Sequence, residues 1–395
     1  MSLARARRAI FRKARAGPGE NESSNTLGDR KGVPVQYREL GKTGLKVSAL
    51  GLGCMRLPAE DPELSAQVVD SAIAAGVNYF ETTRGYIDGR CQHLVGPGLK
   101  GRSRGLIVSG KAGVNAETTA SSYREEIERQ MGILGVDYLE FFQVGWFSWK
   151  QMPFLTKRGG ALEALDKARA EGIVGHIGFT GHDSPENFTK CIETGLFDSL
   201  TIPYNMLSRE YAPTIKRAGE LGLGVIAMCP VAGGMLAEPS VQLQQLIPGG
   251  ATTTAAAALQ FVLANPDVSC AASGMNTLEM VAENVAVVES LQAMNDEDRA
   301  RMEQILDEFA AVGAKFCTAC GYCLPCPNGV DIPRNFRFYN QARVYGLMDW
   351  AKERYASTDA EKRASACVEC GQCEPKCPNQ LPIIEQLAEV AKALG

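Results

Sequence analysis

The chain has 395 residues, a formal net charge of −4 and 22% charged residues. That balance gives no global electrostatic reason to expect a nucleic acid or an anionic membrane as partner, and no apolar run is long enough to span a bilayer. The length suits two domains, and 45% hydrophobic residues is ordinary for globular cores.

The first segment is a local exception to the acidic balance. Arg5, Arg7, Arg8, Arg12, Lys13 and Arg15 crowd the N-terminus with no acid among them, and Gly17-Pro18-Gly19 and a polar stretch follow. No apolar segment follows the Arg7-Arg8 pair, so export is not expected. Residues 1–34 read as a basic, disordered arm, and the protein is expected to be cytoplasmic.

From residue 35 the pattern becomes regular. Val35 to Val47 predicts a hairpin around the Gly41–Gly44 turn. Strands are then predicted at Ser48–Gly53, Val77–Thr82, Leu106–Lys111, Tyr138–Val144, Val174–Thr180, Ser199–Asn205, Gly224–Met228 and Val268–Ala272. They are short, rich in Val, Ile, Leu and Phe, and mostly lack polar alternation, as parallel strands covered on both faces do. Helical stretches lie between them, among them Leu64–Ala75, Ser121–Leu134, Ala161–Ala170, Pro213–Leu221, Thr253–Leu263 and Leu278–Leu291. Eight strand–helix units over about 250 residues make the count of a (β/α)8 barrel, the α/β fold expected for 35–294. A doubly wound sheet is the alternative, but no G-x-G-x-x-G follows the first strand.

A charged helix, Asp296–Val312, leads out of the barrel into a region of eight cysteines. They form two runs: Cys317, Cys320, Cys323, Cys326-Pro327 and Cys367, Cys370, Cys373, Cys377-Pro378. The second is C-x2-C-x2-C-x3-C-P, the bacterial run for a [4Fe–4S] cluster whose last cysteine serves the other cluster. The spacing therefore assigns Cys317, Cys320, Cys323 and Cys377 to one cluster, and Cys367, Cys370, Cys373 and Cys326 to the other. Zinc sites usually draw their cysteines as two separated pairs, and disulfides do not suit a reducing compartment. Helical stretches at Pro333–Tyr345, Met348–Tyr355 and Pro382–Leu394 make 295–395 a mostly α-helical, ferredoxin-like domain. The other cysteines, Cys54, Cys91, Cys191, Cys229 and Cys270, are not spaced as ligands and read as small buried residues, with Cys54 and Cys229 expected at the barrel mouth.

Barrel enzymes carry their chemistry at the C-terminal ends of the strands. There the chain presents GLGCMRLP (51–58), AGVNYFETTRGY (75–86), IVSGK (107–111), LGVDYLEFFQV (134–144), GFTGHDSPENF (178–188), PYN (203–205), PVAGG (230–234) and SGMNTLEMVAENV (273–285). Together these segments resemble the aldo-keto reductase family, in particular a branch with a C-terminal ferredoxin-type domain. In that family an aspartate, tyrosine, lysine and histidine surround the reacting carbonyl, and NADPH supplies hydride. The resemblance implies Tyr86 as proton donor, with Lys111 easing its proton loss. The aspartate position holds Glu81, and the histidine position holds Gly145. His182 and Arg84 lie on the same face as further candidates, His182 to replace the imidazole and Arg84, with Arg56, to hold an anionic substrate group. An ion pair from either arginine to Glu81 is the plain alternative.

The resemblance also implies a cofactor site at Tyr204, Gly233, Gly234, Gly274, Asn276, Glu283 and Asn284. The place where NADPH users often carry a basic residue is Met280, and the glutamine before Tyr-Asn is Thr201, so weak or absent NADP(H) binding is expected. Clusters carry single electrons whereas hydride carries two, and a flavin is left open as the agent that splits the pair. The leading expectation is an iron–sulfur oxidoreductase acting on a small organic substrate, served by an electron-transfer protein. The alternatives are an NADPH-dependent carbonyl reductase with structural clusters, and a non-catalytic electron-transfer subunit with a degenerate barrel.

Overall fold

The computed structural model describes residues 35–102, 104–314, 317, 321–377 and 380–395. The basic arm, and Cys320 among the expected ligands, lie outside the described residues. Two compact units are present: residues through Pro230 with Asn265–Leu291, and Val231–Ala264 with Gln292–Gly395.

In the first unit a hairpin of β1 (Tyr37–Glu39) and β2 (Lys46–Ser48) precedes eight parallel strands: β3 (Leu50–Gly53), β4 (Tyr79–Glu81), β5 (Ile107–Ala112), β6 (Leu139–Val144), β7 (Val174–Thr180), β8 (Ser199–Pro203), β9 (Gly224–Met228) and β10 (Cys270–Ser273). They close in sequence order, β10 pairing with both β9 and β3. Each has a following helix: α1 (Pro62–Ala74), α2 (Cys91–Leu99), α3 (Ala120–Leu134), α4 (Ala161–Ala170), α5 (Pro185–Glu193), α6 (Ala212–Leu221), α7 (Thr254–Ala264) and α8 (Leu278–Glu289). Helix starts follow local chemistry. Asp61 and Ser184 cap α1 and α5 ahead of a proline at the first helical position, and Thr119 forms a capping box with Ser122 on α3. Leu40 and Val47 of the hairpin bury themselves against Tyr79, Ile107, Phe141, Ile226, Cys270 and Ala272. That apolar plug closes one end of the barrel, so access is from the C-terminal ends of the strands.

Among the described residues the second unit contains α7, a one-turn helix at Val241–Gln244, and four longer helices: α9 (Asp296–Ala314), α10 (Ile332–Tyr345), α11 (Met348–Ala356) and α12 (Ile383–Leu394). The predicted helices of this region are all found, within one or two residues at their ends. Its core is built from Val330, Ile332, Phe336, Leu347, Trp350, Ala351, Tyr355, Leu387 and Val390. α7, nearly all apolar, is grouped here, and the Ser240 hydroxyl bonds the Tyr345 carbonyl at 2.5 Å.

Candidate active site and cysteine pocket

Strand ends β4 and β5 bring three polar side chains together in a largely apolar surround. Lys111 is 3% exposed and Glu81 4%. The Lys111 ammonium donates to the Glu81 carboxylate, and to the Tyr86 phenol oxygen at 2.5 Å. Burial alone would lower the Lys111 pKa, but the Glu81 carboxylate and the Tyr86 oxygen outweigh it and raise it. Burial likewise raises Tyr86, partly opposed by the Lys111 charge. Tyr86 is thus a phenol at neutral pH whose oxygen already accepts from Lys111, leaving its own proton available to a substrate oxygen. This is the chemistry of a positioned general acid.

Sequence reasoning did not foresee the support behind this triad. Gln130 of α3 donates to the Lys111 carbonyl at 2.9 Å and accepts from Gln92 of α2 at 2.9 Å; Gln92 also donates to the Thr82 hydroxyl at 3.1 Å. Both glutamines are fully buried. They lock the ends of β4 and β5 to their helices. A glutamine set within an apolar helical stripe was the available signal: Gln130 shares the buried face of Tyr123, Ile127 and Leu134. Non-glycine residues in the left-handed region also follow barrel strands: Ile87 (φ 54°) and Asp88 (φ 49°) after β4, Trp146 (φ 50°) after β6 and Cys229 (φ 56°) after β9. Such strain concentrates at functional sites.

The other expected residues divide. Arg84 does not pair with Glu81; it forms a two-pronged pair with Glu126 of α3, at 3.0 and 3.3 Å. His182 is exposed and makes no hydrogen bond among the described residues. His176 pairs with Glu140 and Asp198 at 3.7 and 3.6 Å and stacks on Phe141. A Cβ built on Gly145 would meet Lys111 and Ala112 at 3.5–3.6 Å, ordinary contact distance, so a side chain is sterically admissible there. Cys54 is wholly buried and Cys229 is exposed, while burial pushes the Cys91 thiol up to about 11.

None of the expected cofactor residues is itself a cation, but the Arg56 side chain packs beside Gly274. Tyr204 is buried, and the Asn284 amide donates to Ser273 at 3.1 Å. Thr277 caps α8 through the Met280 amide, and Glu279 in the first turn is held ionised by its own amide and by Thr277. Residues 273–284 contain no lysine or arginine, and Met280 is 40% exposed. Within this segment no side chain offers a cation to a 2′-phosphate, and a carboxylate already sits at its helix start. Gly233 (φ 69°) and Gly234 (φ 103°) lie in a short turn of the second unit.

The cysteine runs do meet. Cys326 of the first run lines one pocket with Cys367, Cys370 and Cys373 of the second, walled by Val330, Ile332, Ile384 and Leu387. The Asn328 amide reaches the Cys370 sulfur at 3.7 Å. Four cysteines from two runs around one apolar-walled pocket are the donor set that a cubane takes. Among the described residues no three ligating side chains converge as a single metal ion requires; the corners of a cubane hold thiolates farther apart. Cys317, Cys323 and Cys377 are described, but their partner Cys320 is not. Asn335, fully buried, positions the second run: its amide donates to Asp331 and Lys362 carbonyls at 2.8 Å, and its oxygen accepts from Ala364 at 2.9 Å.

An eight-stranded parallel barrel with a buried lysine–tyrosine–carboxylate group at its mouth, followed by a helical lobe with a four-cysteine pocket, defines an iron–sulfur-type oxidoreductase architecture. The aldo/keto reductase family model matches residues 49–307, and a 4Fe-4S dicluster domain model matches 316–382. The chain belongs to the aldo/keto reductase family and is an oxidoreductase that carries a 4Fe-4S dicluster domain. It is similar to L-galactose dehydrogenase of Arabidopsis thaliana, 28% identical over 69% of this chain and 95% of that one. It is also similar to the NADH-specific methylglyoxal reductase of Escherichia coli, 26% identical over 68% and 97% respectively. The fold matches an aldo-keto reductase of Bacillus halodurans in its holo form, with a TM-score of 0.60 at 24% identity, covering 68% of this chain and 96% of that one. A Klebsiella pneumoniae aldo-keto reductase in complex with NADPH gives 0.56 at 20%, covering 67% and 93%.

Proposed function

We propose that this protein oxidises or reduces a small organic substrate at the barrel mouth and exchanges the electrons through two [4Fe–4S] clusters rather than with NADPH. The division of labour runs at about residue 294: 35–294 handles the substrate and 295–395 the electrons. The reading is carried by the pocket that Cys326 shares with Cys367, Cys370 and Cys373. Thiols from both runs on one pocket are what crossed ligation of two clusters requires, with Cys317, Cys320, Cys323 and Cys377 left for the other. When bound, the clusters supply single-electron transfer.

The barrel residues then handle protons and position. Tyr86 gives its proton to the substrate oxygen as negative charge develops there, or takes it back in the reverse direction. Lys111 stabilises the resulting phenolate, and Glu81 holds Lys111 in place and charged. With Gly145 in place of an imidazole and Met280 in place of a cation, the features that suit hydride transfer from NADPH are reduced on this chain. A flavin or a one-electron substrate chemistry reconciles the two-electron organic change with single-electron carriers. The protein partner is an electron carrier, and the reducing cytoplasm is the compartment that suits so many free thiols.

Anaerobic purification followed by iron, sulfide and organic cofactor analysis tests this. About eight iron and eight sulfide per chain are expected. Stoichiometric zinc without sulfide, or a tightly held nicotinamide nucleotide with only structural iron, would overturn the proposal. The similarity to a reductase named as NADH-specific makes NADH the nucleotide to titrate beside NADPH.

A further inference from the structure

A second, different pocket lies on the helical lobe. Arg334 and Arg337 of α10, Arg354 of α11 and Asp359 line a cavity of about 390 Å³ that opens broadly to solvent, walled by Phe338 and Trp350. The two aromatic rings meet edge to face at 5.8 Å. The acids nearby are already engaged: Asp331 pairs with Arg334 at 3.4 Å, and Asp359 with Lys362 at 2.5 Å. The Ser357 and Thr358 hydroxyls both donate to the Arg354 carbonyl, at 3.0 and 2.9 Å. Arg337 and Arg354 are exposed and form no ion pair among the described residues. Residues 332–363 hold seven basic and four acidic side chains, a net of +3 within a chain of net −4.

The pocket is also close in structure to the cysteines. Val330 and Ile332 line the four-cysteine pocket, and Arg334 and Arg337 follow on the same helix. At 1.5 Å of rise per residue, Arg337 is about 7.5 Å along the axis from Ile332.

We infer that this arginine pocket is the docking site for a small acidic protein that carries one electron at a time. Arginine beside a buried tryptophan edge is the composition of an interface anchor. Guanidinium groups without counter-charges receive carboxylates in two-pronged geometry. The wide opening suits a projecting surface, whereas a metabolite pocket encloses most of its ligand. A local basic field on an acidic chain orients the partner as it approaches. The inference rests on the proposed role of the clusters as electron carriers.

The test uses the full-length, cluster-loaded protein mixed anaerobically with a reduced acidic ferredoxin as probe carrier. In each productive encounter the carrier loses one electron and one cluster gains it; the carrier's visible absorbance returns as the cluster's bleaches, so the transfer is followed by electron paramagnetic resonance of freeze-quenched samples. The second-order rate should fall about 10-fold or more in Arg337→Glu/Arg354→Glu, and in the wild type should fall as salt is raised. Dithionite should reduce the variant as fast as the wild type, and iron and sulfide should be unchanged. Arg337→Lys/Arg354→Lys keeps the charge and should keep most of the rate. An unchanged rate in the charge-reversed protein would overturn the docking site. So would failure of the carrier to reduce wild-type clusters that dithionite reduces. Saturable binding of inorganic phosphate at the arginines, with carrier kinetics indifferent to it, would reassign the pocket to a small anion. Absence of any dithionite-reducible cluster would sink the electron-carrier reading itself, and this site with it.

Discussion

The barrel mouth and the cysteine lobe hold their chemistry in opposite ways. At the mouth the reactive groups are few, buried and fixed by the fold: Lys111 and Glu81 extend from adjacent strands, and Gln92 and Gln130 pin those strands from behind. In the lobe the proposed ligands come from loops, and helices serve to place the loops. Asn335 on α10 ties the turn before the second run, and Glu374 accepts from the Ile384 amide at the start of α12. The contrast teaches that groups on a barrel mouth can change one at a time, because each depends on a different strand end. A cluster site has no such freedom, since all of its ligands must reach one small volume together.

Breaking the lobe should have the largest effect. Cys326→Ser should abolish the cluster held by Cys367, Cys370 and Cys373 and remove about half of the iron, about four per chain. Loss of the other cluster instead would contradict crossed ligation. Iron analysis with electron paramagnetic resonance of the reduced protein distinguishes the two.

The barrel pair comes next. Lys111→Met leaves the Glu81 carboxylate buried without its cation, and uncompensated buried charges destabilise by about 3–5 kcal/mol. Denaturant unfolding of the variant should show a midpoint shift of that order at neutral pH. The pair also has a pH signature. The folded-state pKa of Lys111 lies above its unfolded value of 10.5. Its contribution is therefore complete below that value and is lost as pH rises through the higher folded one. The wild type should lose this stability in alkali, and Lys111→Met should lack that component of the alkaline transition.

Tyr86→Phe keeps the ring and removes the proton donor. Turnover with the natural substrate should fall about 100-fold or more, with thermal stability nearly unchanged. Full activity would move the chemistry to His182 or elsewhere on the mouth. The smallest effect is expected from Gly145→His. There is contact-distance room for the side chain beside Lys111. The variant should fold normally and still show no efficient NADPH-dependent carbonyl reduction, as measured by nucleotide absorbance, because Met280 still offers no cation.

Much of this was written in the chain. Strand periodicity located all eight barrel strands, since uniformly apolar runs separated by polar helices leave few other solutions. The segments around Tyr86 and Lys111 and the cysteine spacing carried the family and the lobe. What the sequence hid was of two kinds. Neither α2 nor α5 was among the helices named from the sequence, and in α2 Gly96, Pro97 and Gly98 look like a breaker. Those glycines instead allow close packing, for a Cβ on Gly96 would meet the Ile133 carbonyl at 3.0 Å, and one on Gly98 would collide with Val69. The partner of Arg84 was equally invisible. Whether a guanidinium turns inward to Glu81 or outward to Glu126 depends on where α3 is laid against the barrel, and no local pattern encodes that.

The central claim is that electrons for the barrel reaction pass through the lobe's clusters and not through NADPH. The most direct measurement is a single-turnover experiment with anaerobic, cluster-loaded protein, reduced by dithionite, freed of reductant and mixed with a panel of small carbonyl compounds in the absence of nucleotide. The account predicts that one compound reoxidises the clusters at the rate at which its reduced product appears, and that Tyr86→Phe slows both together. Clusters that stay reduced with every compound, while NADPH or NADH alone drives product formation, would contradict it.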